Sequence, residues 1–254
     1  KGLSVEMLDR AALDRVAPWL GPQIVGAELC HDEGKLNPLV ANARLRDVGC
    51  GLGITLVSDW ISGVELSGSG VSAIGERATY AADRVVIAAA WGAGALVPDA
   101  CIPTRQEPLH MNITEAASAQ INHLVQHAER SITLKQFASG QIVIGGGWEA
   151  RSAGPRAVPQ VLPASMLGNV ALAGRLVPAI GGLRVIRTWA GMNTTVDGAS
   201  VIGPLPVAER VIMAVPGDAG YTLGPLVAQM AAACVTGQEL SYDVRQFSPG
   251  RFLA

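Results

Sequence analysis

The stretch Val211-Ile-Met-Ala-Val-Pro-Gly217-Asp-Ala-Gly220-Tyr221-Thr222-Leu223-Gly224-Pro225 is where this sequence places residue types that could do chemistry. Residues 211–215 are a short apolar run, long enough for a buried strand. Gly217 and Gly220 free the backbone to turn tightly and let another surface come close. From 222 to 235 the apolar residues recur at helical spacing, Pro225 fits the first turn, and Gly237 is placed to end the helix. A glycine turn feeding a helix N-terminus offers free N–H groups and the positive end of a dipole to an electron-rich group. The same pattern also serves as a plain strand–turn–helix connection.

Other chemistries find less support. His123 and His127 stand at i, i+4, a spacing that suits a metal, but no third ligand is near and the polar stretch reads as a solvated helical face, so no metal is expected. The four cysteines show no C-x-x-C spacing and read as reduced, mostly packed thiols of a cytoplasmic protein. A net charge of −2 gives no basic surface for nucleic acid. No apolar run is long enough to span a membrane, and the first residues do not read as a signal peptide. With 254 residues, 49% hydrophobic and 16% charged, the chain can bury a sizeable core.

In chain order, residues 5–19 read as an amphipathic helix and 24–30 as a strand. Asn37-Pro38 starts a helix that runs to about Val48 and is closed by Gly49-Cys-Gly51-Leu-Gly53. Residues 54–57 read as a strand, and Val64-Glu-Leu with Tyr80 suggests an antiparallel meander around Gly68-Ser-Gly70. The run at 83–90 is the most buried-looking strand, suited to a covered parallel sheet, with small residues at its end. From Pro103 the pattern alternates. Residues 131–137 and 141–144 form a hairpin around Ala138-Ser-Gly140, 161–180 is helical, and 184–189 returns as a strand. The chain is thus expected to leave one α/β domain, build an antiparallel sheet, and come back.

The ordered set of motifs is more specific than any one of them. Val85-Val-Ile-Ala-Ala89-Ala-Trp91, Gly145-Gly-Gly-Trp148, Arg187-Thr-Trp189-Ala-Gly191, Asp197-Gly198, Val201-Ile-Gly203-Pro, the Gly217–Pro225 turn and Phe247-Ser-Pro-Gly-Arg251-Phe follow one another in an order that resembles the FAD-dependent amino-acid and amine oxidoreductases. That superfamily includes D-amino acid oxidase, glycine oxidase, sarcosine oxidase and the opine and hydroxyproline dehydrogenases. The resemblance implies an α/β plus α+β architecture: a partial, Rossmann-like FAD-binding domain interleaved with an antiparallel-sheet substrate domain. It divides the chain into substrate-domain segments at 1–33 and 101–195 and FAD-domain segments at 34–100 and 196–254. It also implies oxidation of a C–N bond in an amino acid or secondary amine (proline-, hydroxyproline-, sarcosine- or opine-like), with hydride passing to the flavin and other subunits of a hetero-oligomer as partners.

By the same resemblance, Gly217, Gly220, Tyr221, Thr222 and Leu223 match the loop that meets the isoalloxazine ring, and Val57 matches a position whose backbone meets the adenine. Ala89 and Trp91 belong to a match for A-G-A-W in which Ala89 replaces the glycine. Asn193 stands where glycine oxidase and D-amino acid oxidase carry an arginine that clamps the substrate carboxylate, and asparagine cannot supply that charge. Lys135, His110, Trp148 and Tyr221 are expected to share the substrate cavity, and Arg187 to pair with a carboxylate of the protein or the substrate. Ala190 lies near the flavin-linking cysteine of monomeric sarcosine oxidase, so FAD is expected to be noncovalent. No side chain stands out as a general base. No G-x-G-x-x-G with its strand, helix and distant acidic residue occurs. The chain is therefore expected to be a C-terminal portion that by itself binds FAD weakly or not at all. The alternative reading is a non-catalytic fragment or subunit module; a nicotinamide dehydrogenase is opposed by the same missing fingerprint.

Overall fold

The computed structural model describes residues 2–67, 70–118, 120–154, 156–239 and 242–253. In chain order its strands and helices are β1 (Val5–Asp9), α1 (Arg10–Val16), β2 (Gly26–Cys30), α2 (Pro38–Gly51), β3 (Ile61–Ser67), β4 (Gly70–Gly75), β5 (Thr79–Ala82), β6 (Val85–Ile87) and β7 (Arg105–Ala116). They continue as β8 (Val125–Gln126), β9 (Thr133–Gln136), β10 (Gln141–Gly145), α3 (Pro163–Leu176), β11 (Val185–Thr195), β12 (Val201–Leu205), β13 (Ala208–Val215) and α4 (Gly220–Thr236). This is a mixed α/β architecture with antiparallel sheets. The chain divides into two compact units, Lys1–Thr55 with Pro108–Gly191 and Leu56–Glu107 with Met192–Ala254. The breaks at 55, 107 and 191 compare with boundaries expected after 33, 100 and 195.

In the first unit, β11-β7-β10-β9-β8 form a five-stranded sheet and β1 pairs with β2. Strand alternation decides what each face carries. Leu134, Ile142 and Ile144 point to α3 and pack with Leu172, Ala173 and Leu176 in one core cluster. On the same side the Asn112 amide donates to Asn169 Oδ1 (3.1 Å) and to His110 Nε2 (3.2 Å), and the Thr188 hydroxyl donates to Asn112 Oδ1 (2.7 Å). Asn169 on α3 donates in turn to the Gly145 carbonyl (3.2 Å). His110, Asn112 and Asn169 are fully buried, so this network, rather than apolar contact alone, fixes the helix on the sheet.

In the second unit, β13 pairs antiparallel with β12 and parallel with β6, in the register Val211↔Val85, Ile212↔Val86, Met213↔Ile87. Alternate residues of β13 serve two cores. Val211, Met213 and Val215 join Val71 and Ile87 on one side; Ile212 and Ala214 join Val227, Met230 and Ala231 of α4 on the other. α4 ends at Gly237, whose φ of +70° and whose N–H, donated to the Ala233 carbonyl, make the expected left-handed stop.

Several local expectations differ from the structure. Residues 5–19 are not one helix: Asp9 caps α1 by accepting from the Ala12 N–H, and the residues before it pair with β2. Residues 54–57 form no strand; they have strand-like composition but no strand partner among the described residues, and Ile54, Leu56 and Val57 are exposed. The strand expected at 83–90 is reduced to β6; Val86 is 43% exposed while Ile87 is buried, so it is not covered on both faces. β3, β4 and β5 form the expected meander; Gly68 and Ser69, which the expectation put at its first turn, lie outside the described residues. His123 and His127 are not on a helix: β8 lies between them, the His123 ring faces Trp19, and His127 Nδ1 accepts from the Glu129 and Arg130 N–H groups.

Asn169→Ala should cost about 2–4 kcal/mol of unfolding free energy, because it takes the Asn169 Oδ1 acceptor from the buried Asn112 amide and opens a gap beside it. A shift of the denaturant midpoint, with the slope unchanged, is the measure.

Candidate cofactor and substrate surfaces

The cofactor residues expected from the sequence all belong to the second unit. Because β6 and β13 run parallel, their carboxyl ends share one end of the sheet. The Ala88–Trp91 turn therefore leaves the sheet at the same end as Pro216-Gly217, and the carboxyl end of a parallel pair is where open α/β sheets bind ligands. Gly217 is left-handed at φ +72°, a conformation that glycine adopts without strain. Ala90 holds a left-handed φ of +51° without being glycine, which marks that turn as constrained. Gly220 opens α4, and no side chain caps the helix. A Cβ added at Gly220 would come no nearer than 4.0 Å to Pro216, and one at Gly224 would meet nothing. Tyr221, Thr222 and Leu223 are exposed on the first turn. An uncapped helix start whose glycines carry no side chains fits the approach of a flat, electron-rich ring. α4 begins two residues before the expected start, so Pro225 lies inside the helix rather than in its first turn.

Beside this turn is a cavity of about 280 Å³, lined by Val196, Ala199, Pro216, Gly217, Leu223 and Phe247 among others. Its 195–200 wall is pinned by Asp197, which accepts from Arg251 at 2.8 and 2.9 Å. That guanidinium holds the Asp197 carboxyl below the usual range. Ala89 is exposed, Trp91 half-buried, and Val57 60% exposed in an irregular segment. Asn193 is half-buried and its amide donates to Glu107 Oε2 at 2.8 Å. It is thus already committed, and to an acid.

The expected cavity-facing set does not hold together in the first unit. His110 is fully buried on the α3 side, where burial pushes its imidazole below the ordinary range and Nδ1 has no partner among the described residues. Trp148 packs against Gly168 of α3 and donates from Nε1 to the Ser131 carbonyl (2.6 Å). Lys135 points to the opposite face of the sheet, because it alternates with Leu134 and Gln136, which are buried against the helix side. Arg187 makes no ion pair with any described residue; its guanidinium stacks 5.8 Å from the Trp189 ring centroid. The sequence alone could not settle these faces, since the register of β7, β9 and β11 decides them. Among the described residues no cluster of His, Cys, Asp and Glu is placed to hold a metal, and no helix is long and apolar enough to cross a membrane.

A parallel strand pair with glycine and small-residue turns at one end, followed by an uncapped helix and combined with a five-stranded antiparallel sheet, is the arrangement of a flavin-binding oxidoreductase. The chain belongs to the FAD dependent oxidoreductase family, whose model matches residues 1–234. It is 27% identical over 256 residues to a subunit of the opine oxidase of Agrobacterium tumefaciens (strain Ach5), covering 98% of this chain but 65% of that protein. The chain therefore spans just under two thirds of the length of this relative. Its fold matches glycine oxidase from Geobacillus kaustophilus (TM-score 0.87, 20% identity, 98% of this chain and 68% of that one). It also matches L-proline dehydrogenase from P. horikoshii (TM-score 0.89, 19% identity, 99% and 70%).

The two glycines should separate folding from cofactor binding. Gly217→Ala should cost about 1 kcal/mol by forcing a Cβ into a left-handed residue. Gly220→Ala should leave stability unchanged or raise it by up to about 1 kcal/mol, yet weaken FAD binding in a fluorescence titration. Unaltered FAD affinity in Gly220→Ala would remove this turn from the cofactor surface.

Proposed function

We propose that the chain is the flavin-facing and substrate-binding part of an oxidoreductase acting on the C–N bond of an amino acid or secondary amine. The observation that carries this reading is the parallel pairing of β6 with β13, which brings the Ala89–Trp91 turn and the Gly217–Leu223 turn to one sheet end. Family membership supports it. The names of the relatives suggest proline-, glycine- or opine-like substrates. The opine oxidase relative is one subunit of its enzyme, which suggests a companion chain here too.

FAD, when bound, supplies the hydride acceptor. The chain's own part is orientation and electrostatics. Gly217 and Gly220 admit a ring close to the backbone, and the first-turn N–H groups of α4 would stabilise negative charge developing there. Tyr221, Thr222 and Leu223 would flank it, Ala89 and Trp91 would meet it from the neighbouring turn, and Val57 would lie toward the adenine. Ala190 offers no sulfur for a covalent link. The amine is consumed in its neutral form, so the chain needs no general base if substrate arrives deprotonated.

A specific observation favours a second reading, in which the chain is a non-catalytic module. α2 buries none of its residues, leaving Leu39 and Leu45 exposed, and β6 ends its sheet with an edge unpaired among the described residues. Such surfaces accept further structure, so the cofactor grip given by these residues is incomplete.

Titrating FAD into the chain, then adding proline, sarcosine or hydroxyproline without oxygen, tests the two readings. The oxidoreductase reading expects a reversible, weak change in the flavin spectrum and loss of the oxidised band with a secondary amino acid. FAD unperturbed at every chain concentration would leave the module reading.

A further inference from the structure

His110, Asn112 and Asn169 form a chain whose hydrogen positions are dictated from one end. The Gly145 carbonyl can only accept, so Asn169 must turn its amide nitrogen to it (3.2 Å). That leaves Asn169 Oδ1 facing Asn112, where only the Asn112 amide nitrogen can donate to it (3.1 Å). The same nitrogen gives its second hydrogen to His110 Nε2 (3.2 Å), while Asn112 Oδ1 accepts from the Thr188 hydroxyl (2.7 Å). His110 Nε2 must therefore accept, which puts the one proton of the neutral ring on Nδ1. A backbone carbonyl of β10 thus selects the tautomer of a histidine on β7 through two asparagines, one of them on α3.

A second proton has no place in this chain. It would sit on Nε2 and set an N–H against the Asn112 N–H. Turning the Asn112 amide over would offer its oxygen to the ring, and the Thr188 hydroxyl could accept from the nitrogen instead, but that oxygen would then oppose Asn169 Oδ1. Turning Asn169 over as well would set its oxygen against the Gly145 carbonyl, which has no hydrogen to give. Each rearrangement moves the repulsion one residue further, and the last ends at the backbone. His110, Asn112 and Asn169 are fully buried, so bulk water does not relieve it.

No acid among the described residues faces the ring to favour that proton. Glu107 and Glu115 alternate with the buried residues of β7, and Glu115 is held by Arg184 at 2.7 Å. Glu149 is exposed and alternates with Trp148, whose ring packs on α3. Lys135 and Arg187 alternate with Leu134 and Thr188, which face the helix. β10 carries no charged residue, and the one on α3, Arg175, is a like charge about 9 Å along the axis from Asn169. Burial, partly offset by the Trp148 carbonyl, holds the imidazole below its ordinary range.

We propose that His110 is a proton-operated lock between the sheet and α3: with Nε2 bare it joins β7, β10 and β11 to the helix, and a proton on Nε2 breaks the joint. The unit then holds at neutral pH and loosens in acid. This lock does not depend on the reading of the chain as an oxidoreductase. Because the folded-state pKa lies below the unfolded one, the unfolded chain takes the proton first. The contribution is complete above the ordinary value of 6.5 and is lost as pH falls through it, until the folded-state value is passed.

Two measurements test this. Long-range proton–nitrogen NMR of the wild-type chain at neutral pH reads the tautomer, and His110 should show a protonated Nδ1 and a bare Nε2. Denaturant midpoints taken from neutral pH into mild acid read the lock. The folded-to-unfolded ratio of wild type should fall by up to about tenfold per pH unit more than that of His110→Gln, whose side-chain oxygen accepts from Asn112 but does not titrate. His31, His123, His127 and the ion pairs titrate in both proteins and cancel in the difference. A protonated Nε2 at neutral pH, or the same pH dependence in both proteins, would overturn the proposal. Should the glutamine variant not fold, NMR titration of the wild-type ring decides. His110 should take its proton at a lower pH than in the urea-unfolded chain, and an equal or higher pH would overturn the lock.

Discussion

The parallel pairing of three residues of β6 with three of β13 is the constraint on which the second unit depends. It is a non-local contact: the chain leaves after β6, completes the whole antiparallel sheet, and returns. Closing so long an excursion costs entropy that grows only slowly with length, and burial on both faces of β13 offsets it. Because the pair is parallel rather than antiparallel, the two following turns emerge together. Reversing either strand would carry Ala89–Trp91 and Gly217–Leu223 to opposite ends, and nothing else in the unit would reunite them. The chemistry proposed for that end would rest on small means, namely a left-handed glycine, a helix start without a capping side chain, and positions where no Cβ intrudes.

Much of this is legible in the sequence where local rules agree. The β9–β10 hairpin, the α4 stop at Gly237 and the order of short motifs are each readable because turn chemistry, periodicity and glycine placement point the same way. Expectation and structure part where a local signal needs a partner that sequence does not reveal. Residues 54–57 have the composition of a strand and, among the described residues, no strand beside them. Asp9 carries a cap signal inside what looks like a longer helix, and β1 becomes visible only through its pairing with β2. The side-chain faces are the hardest. His110 and Lys135 are both plausible ligands by type, yet one step of register decides that His110 is sealed against α3 and Lys135 is not. Arg187 is expected in an ion pair; only the structure shows that Arg184 already holds the acid of that strand face.

The surfaces left uncovered are as informative as the cores. Lone exposed leucines mean little, but a fourteen-residue helix with no buried residue is a different matter. α2 is well begun, with Asn37 capping it and Pro38 at its first position, so its sequence specifies a helix whose apolar side chains find no core in its own unit. The open edge of β6 tells the same story for the sheet. Family membership and uncovered surfaces at α2 and β6 are therefore compatible. In the proposed reading the Gly217–Leu223 turn faces the ring, and firm retention of a nucleotide would need more contacts than these turns make.

The central claim is that backbone N–H groups at the Gly217–Leu223 turn form the cofactor-facing surface. Amide hydrogen exchange, resolved to peptides and measured with and without saturating FAD, tests it most directly. The account predicts slowed exchange concentrated at residues 217–223 and at 88–91, with the buried strands β12 and β13 unchanged. Slowing confined to the first unit's sheet, or none anywhere while FAD is bound, would contradict it.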